Sequence, residues 1–253
     1  MPEVAELPTR KDEAWRYAAV EALQGVALDD WRAIEVAAGE SFRDCVVIAD
    51  RPDGREGTDL RRLRVTVGEG GRCELFAVLA AELYARLEID VTLGRGAHFE
   101  FGGVTVGGRD TVREFVTRVV HAEPEATSNQ VVRAVHWGQG TGNFLGNIEV
   151  ARHAQKTDAA QSFKGLLLEK GASVNAVPQL EIFADDVKCA HGATVGQLDQ
   201  QAAFYMAARG LSPEAARRLL VQAFIGDAFV ALDDEEERER LMRTALDKLD
   251  RHL

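Results

Sequence analysis

The residues best suited to chemistry gather late in the chain, in the segment from Pro178 to Gly196 that contains Asp185-Asp186 and Cys189-Ala-His191-Gly-Ala-Thr194. His191 is the first candidate, because a neutral imidazole is a good ligand for a metal such as iron and titrates near physiological pH. Cys189 lies two residues earlier, so in an extended segment the two side chains share a face. A thiolate would suit a soft metal, while a small, buried, apolar cysteine is an equally good reading of Cys189. Adjacent acids in a strand point to opposite faces, which weakens an acid/base or metal role for Asp185 and Asp186 and favours a turn.

Other candidates carry less. Gly138-Gln-Gly140-Thr-Gly142 is not a G-x-G-x-x-G, and the strand-like Phe144 to Val150 follows it, so no helix N-terminus is offered to a phosphate. No G-x-x-x-x-G-K-[ST] occurs, and ATP hydrolysis is not expected in this chain. Cys45, Cys73 and Cys189 are odd in number and far apart, which fits reduced thiols better than a disulfide framework.

The elements that must hold these residues follow from periodicity. Trp15, Ala18, Ala19, Ala22 and Leu23 recur at helical spacing, and a helix ending near Gly25 is expected, followed by a connector with a strand at Cys45 to Ala49 and a turn at Asp50 to Gly54. From Leu63 the period becomes two: Leu63, Val65, Val67; Leu87, Ile89, Val91, Leu93; Phe99, Phe101; then Val131 to Trp137, Phe144 to Val150, Ser162 to Leu168 and Leu180 to Ala184. Turn candidates at Gly70, Gly96, Pro124, Gly140, Ala154, Gly171 and Asp186 recur at a regular spacing in the second half and at about twice that in the first. Stacked coils explain this, with an antiparallel sandwich or barrel as the alternative. The expected architecture is mainly β: a right-handed parallel β-helix over 61–197, between an N-terminal helical segment and connector (1–60) and a C-terminal helical domain (198–253).

That last domain reads as three helices. Leu198, Ala202, Tyr205 and Met206 form one apolar stripe; Ser212 and Pro213 open a second helix whose apolar side holds Leu219, Leu220, Phe224, Ile225 and Phe229; acids from Asp233 open a third, with an expected Glu236–Arg240 pair.

Composition bounds the function. A chain of 253 residues, 46% hydrophobic and 28% charged, builds an ordinary globular core. A net charge of -11 without a basic stripe excludes a general nucleic-acid surface. Met1 to Arg10 lacks the zones of a secretory signal, and no apolar run reaches the ~20 residues a bilayer requires, so a cytoplasmic protein without membrane contact is expected.

With the motifs in place, the chain resembles the SufB/SufD family of iron–sulfur cluster assembly scaffolds. The resemblance rests on His191-Gly192-Ala193-Thr194-Val195-Gly196-Gln197, which is similar to the SufD version of the core signature, SufB usually having Glu where this chain has Gly192. It extends through Gln155 to Ser162, Leu166 to Leu168, Phe204-Tyr205-Met206 and Arg209-Gly210-Leu211, and to Leu7 through Tyr17 at the other end. This resemblance implies a non-catalytic subunit that meets a SufB-like scaffold at the end of the β core and docks a SufC-like ATPase on its C-terminal helices. It implies that His191 lies where the core meets the partner and takes part, as a metal ligand, in forming a nascent iron–sulfur cluster shared with that partner; Cys189 beside it is a further ligand candidate, and Gly192 and Thr194 are expected at the same interface. The apolar face of Leu219, Phe224, Ile225 and Phe229 either meets the ATPase partner or packs on helices of its own domain, the usual fate of such a face. Against that resemblance the chain is much shorter than many members, and coils are expected to be missing from the middle. Rival expectations are a self-associating β-helix module, with a homodimer of the isolated chain, and a β-helix carbohydrate-active enzyme.

Overall fold

The computed structural model describes residues 7–50 and 57–252. Part of the expected turn at Asp50 to Gly54, and most of the Met1 to Arg10 segment, lie outside these residues.

Among the described residues twelve strands alternate between two six-stranded parallel sheets, the odd-numbered strands in one (sheet A) and the even-numbered in the other (sheet B). They run β1 Arg32–Val36, β2 Ser41–Ile48, β3 Asp59–Val67, β4 Arg72–Leu79, β5 Ala85–Leu93, β6 His98–Gly107, β7 Val112–His121, β8 Thr127–His136, β9 Thr141–Val150, β10 Asp158–Leu167, β11 Ser173–Ile182 and β12 Lys188–Gln197. Each consecutive pair is one turn of a parallel solenoid, six turns in all, which is the β-helix the strand and turn spacing predicts. The first two strands occupy part of the stretch expected as a connector.

Inward positions interdigitate between the sheets because side chains alternate along each strand. Leu75, Phe99, Phe101, Phe115, Phe144 and Phe163 fill the channel; Phe101 meets Phe115 edge-on at 5.3 Å between ring centres, and Phe144 stacks on Phe163 at 5.9 Å. Gly103 makes room for the first pair, since a Cβ there would press on both rings. One turn between strands lacks warning from sequence: Ala80 to Tyr84 contains neither Gly nor Pro, so β4 and β5 read as one apolar run.

Sheet B is covered by α2 (Pro213–Gly226) and α3 (Glu235–Asp250), with the shorter α1 (Gln200–Ala207) preceding them. Ser212 caps α2, its Oγ accepting from the Ala215 N–H at 3.2 Å, and Asp234 caps α3. Val221, Ile225, Phe229, Leu241, Ala245 and Leu249 pack on the outer side chains of β4, β6 and β8. Arg240 pairs with Glu237 at 2.7 Å rather than with Glu236, one turn of α3 bringing the i,i+3 partner closer. The expected apolar stripe of α1 is not buried: no residue of that helix is, and Phe204 is 76% and Tyr205 57% exposed.

The N-terminal stretch differs from its expected helix. It makes only two 3-10 turns, Glu13–Trp15 and Val20–Leu23, and lies along the outer face of sheet A. Its carbonyls are taken by the sheet: Ala14 accepts from Arg86 at 3.0 Å and Tyr17 from Asn143 at 3.2 Å. Arg86 also lies 3.8 Å under the Trp15 ring and pairs with Glu114 at 3.0 Å, both charges being fully buried. Tyr84 donates to the same carboxylate. No helix among the described residues is long and apolar enough to cross a membrane.

Candidate functional site

The two ends of the solenoid are built differently. At the first turn the strands are short or charged: Arg32 of β1 pairs with Asp44 of β2 at 2.9 Å, and Arg43 reaches Glu74. Charges and short strands are the usual devices that keep an open sheet edge from recruiting another strand. At the last turn both β11 and β12 are ten residues long, and β12, Lys188-Cys-Ala-His-Gly-Ala-Thr-Val-Gly-Gln197, carries a single charge.

Backbone direction settles which groups of this last turn are free. The Lys188 N–H donates to the Thr157 carbonyl at 2.8 Å, so the even-numbered residues of β12 bond to β10. By the alternation of a β ladder, Cys189, His191, Ala193, Val195 and Gln197 turn their N–H and C=O toward the open edge. In β11 the Ser173 and Phe183 N–H groups bond back to Gly140 and Val150, so the even-numbered residues face outward, and Pro178 among them has no N–H to offer. The intact edge is therefore that of β12.

His191 sits on this edge strand, exposed, in register with Gln161 of β10 and on the inward-facing column of the solenoid. Cys189 shares its face, as expected for an extended segment, but is half-buried with Ile148, Val150, Ala159 and Leu180. Burial, aided by Asp158, raises its thiol pKa, so the thiol form prevails until a metal or cation displaces the proton. Gly192 and Thr194 are exposed on the opposite face, and a side chain at Gly192 would meet nothing within 4 Å. Asp185 and Asp186 form the β11–β12 turn, where the Asp186 N–H donates to Gln155 Oε1 at 2.8 Å and its carbonyl accepts from Lys156 at 2.6 Å. Among the described residues no three His, Cys, Asp or Glu side chains converge, so His191 and Cys189 can furnish at most part of a four-ligand set. Gly138 to Gly142 is the β8–β9 turn and the start of β9; a Cβ at Gly140 would meet the Gly107 carbonyl, and one at Gly142 the His136 ring. Its glycines serve coil stacking.

The candidate residues of the helices divide. Ile225 and Phe229 are fully buried against sheet B, where Phe229 meets Phe76 edge-on at 6.5 Å, so both pack this chain's own core instead of facing outward. Leu219 is 42% exposed and Phe224 half-buried. Phe224 lines a cavity of about 340 Å³ with Leu220, Thr194, Gly196 and Leu198, where α2 approaches the end of β12. Exposed Phe204 and Tyr205 add apolar surface; Tyr205, which lies under the Arg209 guanidinium at 3.6 Å, belongs to the expected apolar stripe, whereas Phe204 lies outside it. Their signal lay in the length of α1, eight residues being too short to bury a full stripe.

Residues 35–224 match the family model described as SUF system FeS cluster assembly, SufBD core domain. The chain is 34% identical over 149 residues to the iron–sulfur cluster assembly protein SufD of Escherichia coli, which covers 59% of this chain and 35% of that protein. It is 38% identical over 125 residues to the chloroplastic protein ABCI7 of Arabidopsis thaliana, covering 49% of this chain and 26% of the other. A SufBD family protein of Synechocystis is 30% identical over 181 residues, covering 71% of this chain and 40% of its own length. The chain thus spans well under half the length of these relatives.

Proposed function

The chain belongs to the SufBD core family of the SUF iron–sulfur cluster assembly system and is SufD-like, and from that premise we propose that it is a non-catalytic scaffold subunit of a cluster-assembling complex. Its last solenoid turn joins a SufB-like chain, and its C-terminal helices dock a SufC-like ATPase. The nascent cluster is the cargo, assembled at the seam, with His191 as a ligand from this side and cysteines of the partner completing the set. Cys189 lies behind His191 and contributes once a metal lowers its thiol pKa. ATP-driven movement of the docked ATPase, passed through α2 to the end of β12, opens or reshapes the seam. The cytoplasm is the compartment we propose for this work.

The observation that carries this reading is an exposed imidazole on a full-length, nearly uncharged edge strand whose outward N–H and C=O groups are unpaired. Leu219, Phe224, Phe204 and Tyr205 support the ATPase surface, being apolar and accessible on the helical side.

The test is co-expression with SufB-like and SufC-like chains, followed by measurement of complex mass, iron and acid-labile sulfide. His191→Ala is expected to leave the complex assembled and its melting temperature unchanged, since the side chain is exposed, while cluster yield collapses. Unchanged cluster yield would refute the ligand role. The same open edge also fits a second copy of this chain when the partner is missing. A dimer of the isolated protein that disperses on addition of the SufB-like chain is the expected behaviour.

A further inference from the structure

The interior of the solenoid changes character toward its open end. Register in the two sheets places facing inward pairs one above another: Leu63 with Leu75, Ile89 with Phe101, Thr117 with Gln130, Gly146 with Gln161, and Pro178 with His191. Apolar layers give way to polar ones, and the column ends on the imidazole.

The polar layers are buried and incompletely bonded. Gln161 is 2% exposed; its Nε2 donates to the Gln179 carbonyl at 3.0 Å and the Gly146 carbonyl at 3.3 Å, which fixes the amide, yet Oε1 has no partner among the described residues. Gln130, fully buried, has neither Nε2 nor Oε1 bonded, and the Thr117 hydroxyl in the same layer is also unpartnered. Four orphaned polar atoms in two adjacent layers are costly if left unmet, because each has given up its hydrogen bonds to water. Groups one strand spacing apart, about 4.8 Å, are well placed to share a bridging water, which typically takes about three hydrogen bonds.

We propose that Thr117, Gln130 and Gln161 bind internal water beneath the last turn, and that Gln161 acts through it as a positioning residue for His191. The bound water reaches one ring nitrogen and holds the neutral imidazole in one tautomer, leaving the other nitrogen directed to the open edge, as metal-binding histidines are commonly oriented by a group behind them. This deepens the ligand reading of His191 and rests on it for its purpose, not for its geometry.

The test uses the full chain labelled with 15N in histidine and glutamine side chains. Wild type is expected to show a His191 tautomer ratio shifted about fivefold from that of a free imidazole, the size that one net hydrogen bond gives, and magnetisation transfer from long-lived water to the Gln130 amide. Gln161→Met, similar in length and apolar, is expected to bring the ratio to that of a free imidazole; if that variant does not fold, Gln130→Met carries the same readout. An identical tautomer ratio in wild type and variant, or a Gln130 amide without water contact, overturns the proposal. Cluster yield is not the readout, so failure here leaves the scaffold reading standing, and the reverse also holds.

Discussion

At the scale of single residues, the interior histidines and the edge histidine are separated by their surroundings. Burial lowers the pKa of His121 to about 4 and that of His136 to about 3, the latter helped by the nearby Arg113 guanidinium. Both stay neutral inside the solenoid, where His136 bonds the Thr105 hydroxyl at 3.0 Å and the Gly107 carbonyl at 2.9 Å, and His121 bonds Ser128 at 2.9 Å. The unfolded chain takes up protons at these positions below pH ~6.5, whereas the folded chain refuses them until about pH 4 and about pH 3. Stability is therefore complete above ~6.5 and falls with pH across that window, by up to about 1.4 kcal/mol per pH unit for each histidine. Carboxylates contribute only at lower pH: against the pull of burial, Lys248 holds Asp50, and Arg72 and Arg43 hold Glu74, below their usual pKa, so their stabilisation is lost as pH drops beneath the ordinary carboxylate range. Urea midpoints measured from pH 7 to 4.5 are expected to decline for wild type and to decline less steeply for His121→Gln, even though that variant starts from lower stability.

At the scale of elements, the sheets were legible and the surfaces draped over them were not. Period-two patterning marks β3, β5, β6 and β9 because Leu, Ile, Val and Phe recur among their inward residues, whereas β8 turns Gln130 and His136 inward beside Val132 and Ala134 and is marked by its apolar run from Val131 instead. The seven anticipated turns all fall between strands; that at Ala80 to Tyr84 was passed over because apolar residues continue across it, and that at Gly108 to Thr111 was passed over although Gly107-Gly108-Arg109-Asp110 is ordinary turn composition. The doubled spacing in the first half of the chain follows from these two omissions. The N-terminal stretch has helical spacing but not helical bonding, since Arg86 and Asn143 compete for the carbonyls that a helix would use internally. Glu114→Ala tests that arrangement: it strips a fully buried Arg86 of its counter-charge and is expected to cost about 3–5 kcal/mol and to make the stretch around Trp15 protease-sensitive. Arg86→Met with Glu114→Leu should recover most of the loss. On sheet B, a Cβ at Gly102 would run into the Ala228 carbonyl and the Phe76 ring, so Gly102→Ala is expected to destabilise by about 1–3 kcal/mol. Amide exchange should then speed up in α2 and α3 before β5 and β7. Uniform acceleration across both sheets would contradict so local a contact.

For the whole molecule, the question is how a stack of like coils comes to have one end with a long, nearly uncharged open edge. His191 stands out in the sequence because its type and neighbours are informative in isolation, and the face it shares with Cys189 follows from their spacing in β12. The edge that exposes them was not legible, since which backbone groups are free depends on strand order and register, and neither is written in local sequence. A related reason left the helical face open between a partner and its own core: an apolar face looks the same whether it meets its own sheet, as Ile225 and Phe229 do, or open solvent, as Leu219 does. The role of the open edge can be isolated by moving one proline a single position. Ala193 turns its N–H outward and Thr194 turns its N–H to β10, so Ala193→Pro deletes a donor only from the free edge, while Thr194→Pro breaks a bond of the chain's own ladder. Ala193→Pro is expected to lower the melting temperature by no more than a few degrees, yet to weaken association with the SufB-like chain at least tenfold by sedimentation or calorimetric titration. Thr194→Pro is expected to destabilise the last turn in the isolated chain, visible as faster exchange of the β10 and β12 amides. If Ala193→Pro associates as tightly as wild type, strand pairing along β12 is not how the partner is held, and the contact must run through side chains such as His191 and Val195 alone.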